Sequence, residues 1–411
     1  MRRPAHIVPL AVLGLGIAAV GAASASAQGD GPRATVFTFQ GRGWGHGVGM
    51  SQYGARGQAL AGRDAGRILR HYYRGTALAT APTRSVKVLL ADGMRRLAAS
   101  SPRAWRATGR TTDGRRSVRL PARAEHTLRL GAGGRLTLLR GARRVARFSG
   151  AVRLAPVRRG GYVAWGQDEP QADQRYRGQL RAVPSGGGFD VVNVVGLEDY
   201  LKGVVPREMP AGWGDDAPAA LQVQAVAARS YAIATMKPTA VYDLFDDDRS
   251  QTYGGVESED PRSTRAVNST RNTVLTYHGD VITAYFFSTS GGRTENVENV
   301  FQGSPPRPYL VSVPDPWDRG SPYHSSWPDA PSFSPAGLGR ALGLDGPVAT
   351  IEILGRGTSP RVRTARFTTR AGERKDVSGI ELRSILGLRD SWFRVIERRL
   401  PPAEAARLVG G

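Results

Sequence analysis

There is no cysteine among the 411 residues, so disulfides are excluded as a source of stability and thiolates as metal ligands. Lysine is scarce as well, occurring only at Lys87, Lys202, Lys237 and Lys375, and the formal net charge of +22 is therefore carried almost wholly by arginine. The six histidines lie far apart with no H-x-x-x-H pair, and Asp246-Asp247-Asp248 lacks the glycine and terminal glutamate of a calcium loop. No metal is expected, and the acidic triplet reads as a solvated turn. Serine nucleophiles lack their frames: Ser288 to Gly292 is not G-x-S-x-G, and Ser230 has no S-x-x-K lysine. Internal repeats are missing too.

Long apolar runs are confined to the start of the chain. Arg2 and Arg3 precede an apolar run of 17 residues, Ile7 to Ala23, and Ala25-Ser26-Ala27 offers a small-residue cleavage site. Charge, apolar stretch and small residues in that order predict a secretory signal over residues 1–27. The run is shorter than the roughly 20 residues of a span, and Gly14, Gly16 and Gly21 weaken it further. An exported protein, soluble or bound only to a surface, is expected, long enough for two or three domains. The arginine excess suits anionic polymers outside the cell or reflects genome composition; without a nucleic-acid module, nucleic acid is not an expected partner.

Pattern divides the remainder into five stretches. Residues 28–83 are glycine-rich and then helical over Gly66 to Tyr73. Residues 84–188 alternate in short pieces such as SVKVLL and RLTLLR, predicting a small antiparallel β module. It is the most basic part, with 18 arginines against two acids, Asp113 and Glu125, between Arg95 and Arg159. Residues 189–303 read as an α+β core: the buried-strand run VVNVV, a short helix LEDYLKG that Gly203 suits as a stop, and the alanine-rich helix AALQVQAVAARSYAIATMK. Asp215 or Asp216 is expected to cap that second helix, with Pro218 in its first turn. VITAYFFS reads as a strand. Residues 304–336 are loop-like, and residues 337–400 hold a hairpin, ATIEILGRG with RVRTARFTTR, and a short helix, GIELRSILGL. The oligomeric state stays open.

Two stretches bear on chemistry. In GRGWGHGVGMSQYGARG, glycines at 41, 43, 45, 47 and 49 permit unusual backbone angles and close approach of another chain. The G-x-G-x-x-G spacing of a dinucleotide loop is not met. His46, with Trp44, Ser51, Gln52 and Tyr53 nearby, offers ring faces and fixed donors suited to a sugar, though a purely structural turn explains the glycines equally well. The second stretch is VVPREMP, where Glu208 stands between Pro206 and Pro210 with apolar neighbours. An apolar setting raises a carboxyl pKa, while Arg207 opposes it. A glycosidase ordinarily needs two carboxylates, and no partner for Glu208 is evident; Glu198 and Asp199 lie on the preceding helix.

These residues resemble the SpoIID/LytB family of sporulation wall-degrading proteins and amidase modifiers. The matching stretches are GRGWGHGVGMSQYGA with ILRHYYRGT, NVVGLEDYLKGVVPREMP with ALQVQAVAARSYAIA, SQTYGG, AYFFSTSGGRTENVENVF, and RTARFTTRAGERKDVSGIELRSILGLRDSWFRV. The resemblance implies a mixed α+β core into which the β module is inserted, and lytic transglycosylase activity on peptidoglycan strands freed of stem peptides. Glu208 matches the family's acid/base, and the sugar's own C6 hydroxyl serves as nucleophile, so neither a second carboxylate nor a cofactor is needed. His46, Ser51, Gln52, Tyr53, Arg229, Tyr253, Ser290, Gly291 and Glu295, drawn from the matching stretches, are expected to line the groove. The alternative is a wall-binding activator of a cell-wall amidase that cleaves nothing itself, its basic module docked on anionic wall polymers. Two features depart from the family: GHGVGMSQ stands at the start of the chain rather than near its end, and YDLFDDDRSQTYGG lacks the Cys and His zinc ligands of some members.

Overall fold

The computed structural model describes residues 33–82, 84–158, 160–166, 174–237 and 241–409. The expected signal segment lies outside the described residues, among which no helix is long and apolar enough to cross a membrane.

The protein is α+β. Seven strands form one sheet in the order Leu244–Phe245, Ser85–Met94, Gly188–Gly196, Gln179–Ser185, Val152–Pro156, Trp105–Thr111 and Gly114–Leu120. Six more, from Arg143–Ser149 at one edge to Arg175–Arg177 at the other, form a second. Inward positions of both sheets, among them Trp105, Leu128, Leu136, Phe148, Val163 and Leu180, belong to one hydrophobic cluster. That cluster runs on into the helices that follow, through Tyr200, Leu201, Val204 and Leu221. The basic β stretch and the core, which composition separates near residue 188, thus share a sheet: Ser85–Met94 pairs antiparallel with Gly188–Gly196. Composition misses this continuity because the arginines lie on outward positions, while the inward ones are as apolar as the rest of the core.

The helices that frame the site are α1 (Gln52–Leu60), α2 (Ala65–Tyr72), α3 (Leu197–Glu208) and α4 (Pro218–Thr235). α3 does not stop at Gly203. A Cβ there would lie 2.7 Å from the Tyr253 ring and 2.9 Å from the Gly255 carbonyl, so this glycine serves close packing inside a continuing helix. α3 runs instead through Pro206 in its last turn and ends at Glu208. α4 begins at Pro218 as expected, but neither aspartate caps it: the N-cap is Ala217, while Asp215 and Asp216 accept from Arg262 and Arg56 at 2.7 and 3.0 Å.

VITAYFFS yields two short strand pieces, Asp280–Val281 and Phe286–Phe287. The chain between them turns its backbone to another use: the Tyr285 carbonyl accepts from Met50 N at 3.0 Å and from the Tyr73 hydroxyl at 2.7 Å. The expected hairpin is present as Val348–Arg356 and Val362–Thr369, followed by the helix Gly379–Ile385. Ala34–Gly41 pairs with Phe393–Leu400 along its whole length, so the first and last strands are neighbours and the glycine loop that follows Gly41 is carried into the core.

Candidate active site

The loop after Gly41 threads between elements distant in sequence. Gly43, Gly45, Gly47 and Gly49 all have positive φ, from 78° to 123°. At each of them a Cβ would come within 2.7 Å of a neighbouring atom. A Cβ on Gly49 would stand 2.1 Å from the Tyr285 carbonyl oxygen, and one on Gly47 would stand 2.4 Å from Nε of Arg361. Arg361 is buried and cannot yield, since Asp390 binds it through two contacts of 2.8 and 2.9 Å and it donates to the carbonyls of Arg293 and Ser290. Bridges from Trp44 to Thr289 and from Val48 to Glu295 complete the clamp.

The clamp presents His46 and Trp44 to a cleft of about 480 Å³. Gln52 lies on the same side, Glu208 and Tyr231 come from α3 and α4, and Asp248, Ser250 and Thr252 from the segment beyond. The remaining wall is Tyr285 to Ser288, Phe301 and Arg383. Aromatic faces, hydroxyl and amide groups thus line the cleft together with two carboxyls, Glu208 at the end of α3 and Asp248.

Glu208 accepts a hydrogen bond from the backbone N–H of Thr252 at 2.8 Å. Burial raises its pKa above the ordinary glutamate value, against the opposing pull of Thr252 and of the Arg207 charge. Its position as the last residue of α3 acts in the same direction as burial, because the carboxylate would sit at the negative end of the helix dipole. Behind it, Asp246 is pushed up to about 6, first by burial and then by the charge of Asp247.

His46 is held neutral. Burial, then the charge of Arg383, lowers its pKa to about 3, with a backbone contact to Phe286 opposing them and Arg361 adding to the fall. Its Nδ1 accepts from Val48 N at 3.1 Å, which assigns the remaining proton to Nε2. The ring is surrounded by Tyr285, Phe287 and Phe301, with centroids 5.4 to 5.8 Å away. A neutral ring of this kind does not exchange protons near neutral pH.

Of the residues expected from sequence, Glu208, His46 and Gln52 meet in the cleft. The others are turned into the fold. Ser51 caps α1 by accepting from Gly54 N at 3.1 Å, and Tyr53 packs edge-on against Trp213. Arg229 is fully buried and paired with Glu198 at 2.7 and 2.9 Å. The Tyr253 hydroxyl donates to Asn193 at 3.0 Å. Ser290 and the Gly291 amide both donate to Asp318, at 2.9 and 2.8 Å. Glu295 is buried and accepts from the amides of Thr358 and Ser359 at 3.0 and 2.9 Å. In their stead the cleft takes up Thr252 and Ser250 beside Tyr253, Phe287 and Ser288 beside Ser290, and Asp248 from the acidic triplet. The quoted motifs SQTYGG and AYFFSTSGG already contained most of these neighbours, and the direction of each side chain was what the string lacked.

Residues 185–277 match the family model for SpoIID, described as Stage II sporulation protein. This chain carries a SpoIID domain. The match holds α3, α4, Glu208 and Thr252, whereas the glycine loop, Tyr285 to Ser288, Phe301 and Arg383 complete the cleft from outside it. A Stage II sporulation protein D of Bacillus subtilis (strain 168) is 34% identical over 221 residues, 49% of this chain and 61% of that protein. An uncharacterized protein of Brachyspira hyodysenteriae is 36% identical over 170 residues, 39% of this chain and 45% of the other. An amidase enhancer of B. subtilis (strain 168) is 42% identical over 118 residues, 29% of this chain and 15% of the enhancer. The SpoIID-domain chain therefore spans less than two thirds of each of these relatives.

Proposed function

We propose that the protein is a lytic transglycosylase of wall glycan strands lacking stem peptides, with Glu208 as its acid and base. The observation that carries this reading is a carboxyl with raised pKa at the rim of a cleft walled by aromatic rings and hydroxyl donors. Protonated Glu208 donates to the glycosidic oxygen as the bond from the anomeric carbon to that oxygen breaks. The C6 hydroxyl of the same muramic residue then attacks the anomeric carbon and returns its proton to Glu208, closing a 1,6-anhydro ring. Trp44 and Tyr285 offer stacking faces for a sugar ring, with the neutral His46 ring beside them. The negative charge of Asp248 favours the positive charge that develops at the anomeric carbon.

The test is product analysis by mass spectrometry after incubation with denuded glycan. Anhydro-muramyl ends, lost in Glu208→Gln, are expected. Reducing ends would mean that Asp248 and Glu208 act as the two carboxylates of a hydrolase; full activity in Glu208→Gln would sink both chemistries. A second reading, activation of a wall amidase without cleavage, draws on the similarity to an amidase enhancer. It requires that Glu208→Gln stimulate an amidase as well as the parent chain does, and that the parent chain release no anhydro products.

A further inference from the structure

At one end of the seven-stranded sheet, four strands turn one face into the core and present arginines on the other. Side chains alternate along a strand. In Trp105–Thr111, Trp105 and Ala107 are buried in the core while Arg106 and Arg110 are exposed. The register then sets like charges opposite one another: Arg106 faces Arg119, Arg110 faces Arg115, and Arg153 faces Arg181. Thr108 and Ser117, hydrogen-bonded at 3.1 Å, lie between the first two pairs, and Arg153 stands across from Thr108. Six arginines from four adjacent strands thus share a surface.

Nothing on those strands neutralises them. Trp105–Thr111, Gly114–Leu120, Val152–Pro156 and Gln179–Ser185 contain no aspartate or glutamate. Among the described residues none of the six arginines enters an ion pair. Elsewhere the same protein does pair its arginines: Arg175 with Glu257, Arg177 with Glu259, Arg262 with Asp215 and Asp260. A genome-wide habit of using arginine does not explain why acids accompany it in one region and are excluded from another. Like charges directly opposite on neighbouring strands oppose folding, so the arrangement lowers stability in the free protein.

We infer that this face docks a linear phosphodiester polymer, a polyol- or sugar-phosphate chain of the wall with one phosphate per repeat. Adjacent strands are about 4.8 Å apart and Arg106 and Arg110 about 13 Å apart along theirs, giving a two-dimensional array for a densely charged chain. Guanidinium forks bind phosphate oxygens in pairs. A shallow depression of about 330 Å³, lined by Thr108, Arg110, Arg115, Arg153, Gln179 and Arg181, gives the chain a seat. A glycan strand, with at most one carboxylate per disaccharide, is too sparsely charged to engage so many cations. The aromatic residue of these strands, Trp105, points into the core, so the face offers no stacking platform for bases.

The experiment measures binding of the full chain to poly(glycerol phosphate) across sodium chloride concentrations, with polygalacturonate and double-stranded DNA as comparators at equal charge. Arg106→Gln/Arg110→Gln/Arg153→Gln/Arg181→Gln is compared with a control of equal net charge, Arg340→Gln/Arg363→Gln/Arg370→Gln/Arg374→Gln. The face variant is expected to lose at least about tenfold in affinity with a shallower salt slope, and the control to change by less than about twofold. Equal weakening in the two variants, unchanged binding in the face variant, or preference for either comparator would overturn the inference. Because like-charge pairs are removed, the face variant should melt at or above the parent's temperature; if it does not fold, Arg153→Gln/Arg181→Gln replaces it and should give an intermediate loss. Glycan cleavage is scored separately: a chain that binds the polymer but cleaves no glycan would sink the enzymatic reading and leave this one standing.

Discussion

Two glutamates stand at opposite ends of α3 and show how one helix supports two roles. Glu198, in the first turn, is buried and bound by both arms of the Arg229 guanidinium, and it also accepts from Asn272 N at 3.2 Å. Arg229 spends its remaining donors on the carbonyls of Ala225, Val267 and Thr273. Every strong hydrogen-bonding group there has a partner within the fold. Glu208, in the last turn, has Thr252 and a cleft. The first end is closed within the fold, and the second faces a cleft with a carboxyl whose pKa burial raises.

That contrast breaks if Glu208→Gln retains activity. The expected loss is about 10²- to 10⁴-fold in turnover of denuded glycan, the range of a removed acid/base group. Stability should move the other way. A carboxyl whose folded pKa is raised holds its proton more tightly folded than unfolded, so its contribution is greatest at low pH and is lost as pH rises through the folded value. Glutamine mimics the protonated form; urea unfolding at neutral pH should find the variant at least as stable as the parent, with that pH dependence gone.

At the other end the prediction inverts. Arg229→Met leaves Glu198 buried without its cation and should cost about 3 to 5 kcal/mol in urea unfolding, and Glu198→Gln/Arg229→Met should recover part of it. Full stability of Arg229→Met would mean that the pair is not a scaffold. A smaller effect is expected in the loop that faces the cleft: Gly47→Ala forces a Cβ into left-handed backbone and against Arg361, costing about 1 to 2 kcal/mol for the backbone alone. Because His46 lies on the same turn, its activity should fall further than its melting temperature suggests.

The sequence reaches some of this and not the rest, for definable reasons. Glu208 is legible because two prolines and apolar neighbours foretell its burial, and the α+β architecture because period two and period 3.6 are both plainly written. Arg229, Glu295 and Ser290 lie in the same recognisable motifs as Glu208 but are fully buried in hydrogen-bond networks. A motif records that a position matters to the family without recording whether a ligand or the neighbouring chain is what it touches. Gly203 misleads for a similar reason: glycine suits both a helix stop and a close approach, and the Tyr253 ring that decides between them lies far along the chain. Phe301 and Arg383 lie in matching stretches too, but far apart along the chain, and nothing in the string shows that these two side chains are the ones that meet in the cleft.

The gentlest probe of the α3 comparison is Arg207→Gln. Arg207 is exposed, and its charge opposes the burial that raises Glu208. Removing it should carry the Glu208 pKa higher still. Since the reaction needs the protonated acid, the pH profile of kcat/KM on denuded glycan should keep its shape while its alkaline limb shifts upward, with little change in the maximum. Salt should shrink the difference between parent and variant, because an exposed charge acts through screened solvent. A downward shift would mean that Glu208 works as a carboxylate from the outset, as a base or nucleophile would, and an unmoved limb would assign the titration to another group, with Asp246 at about 6 the first to examine.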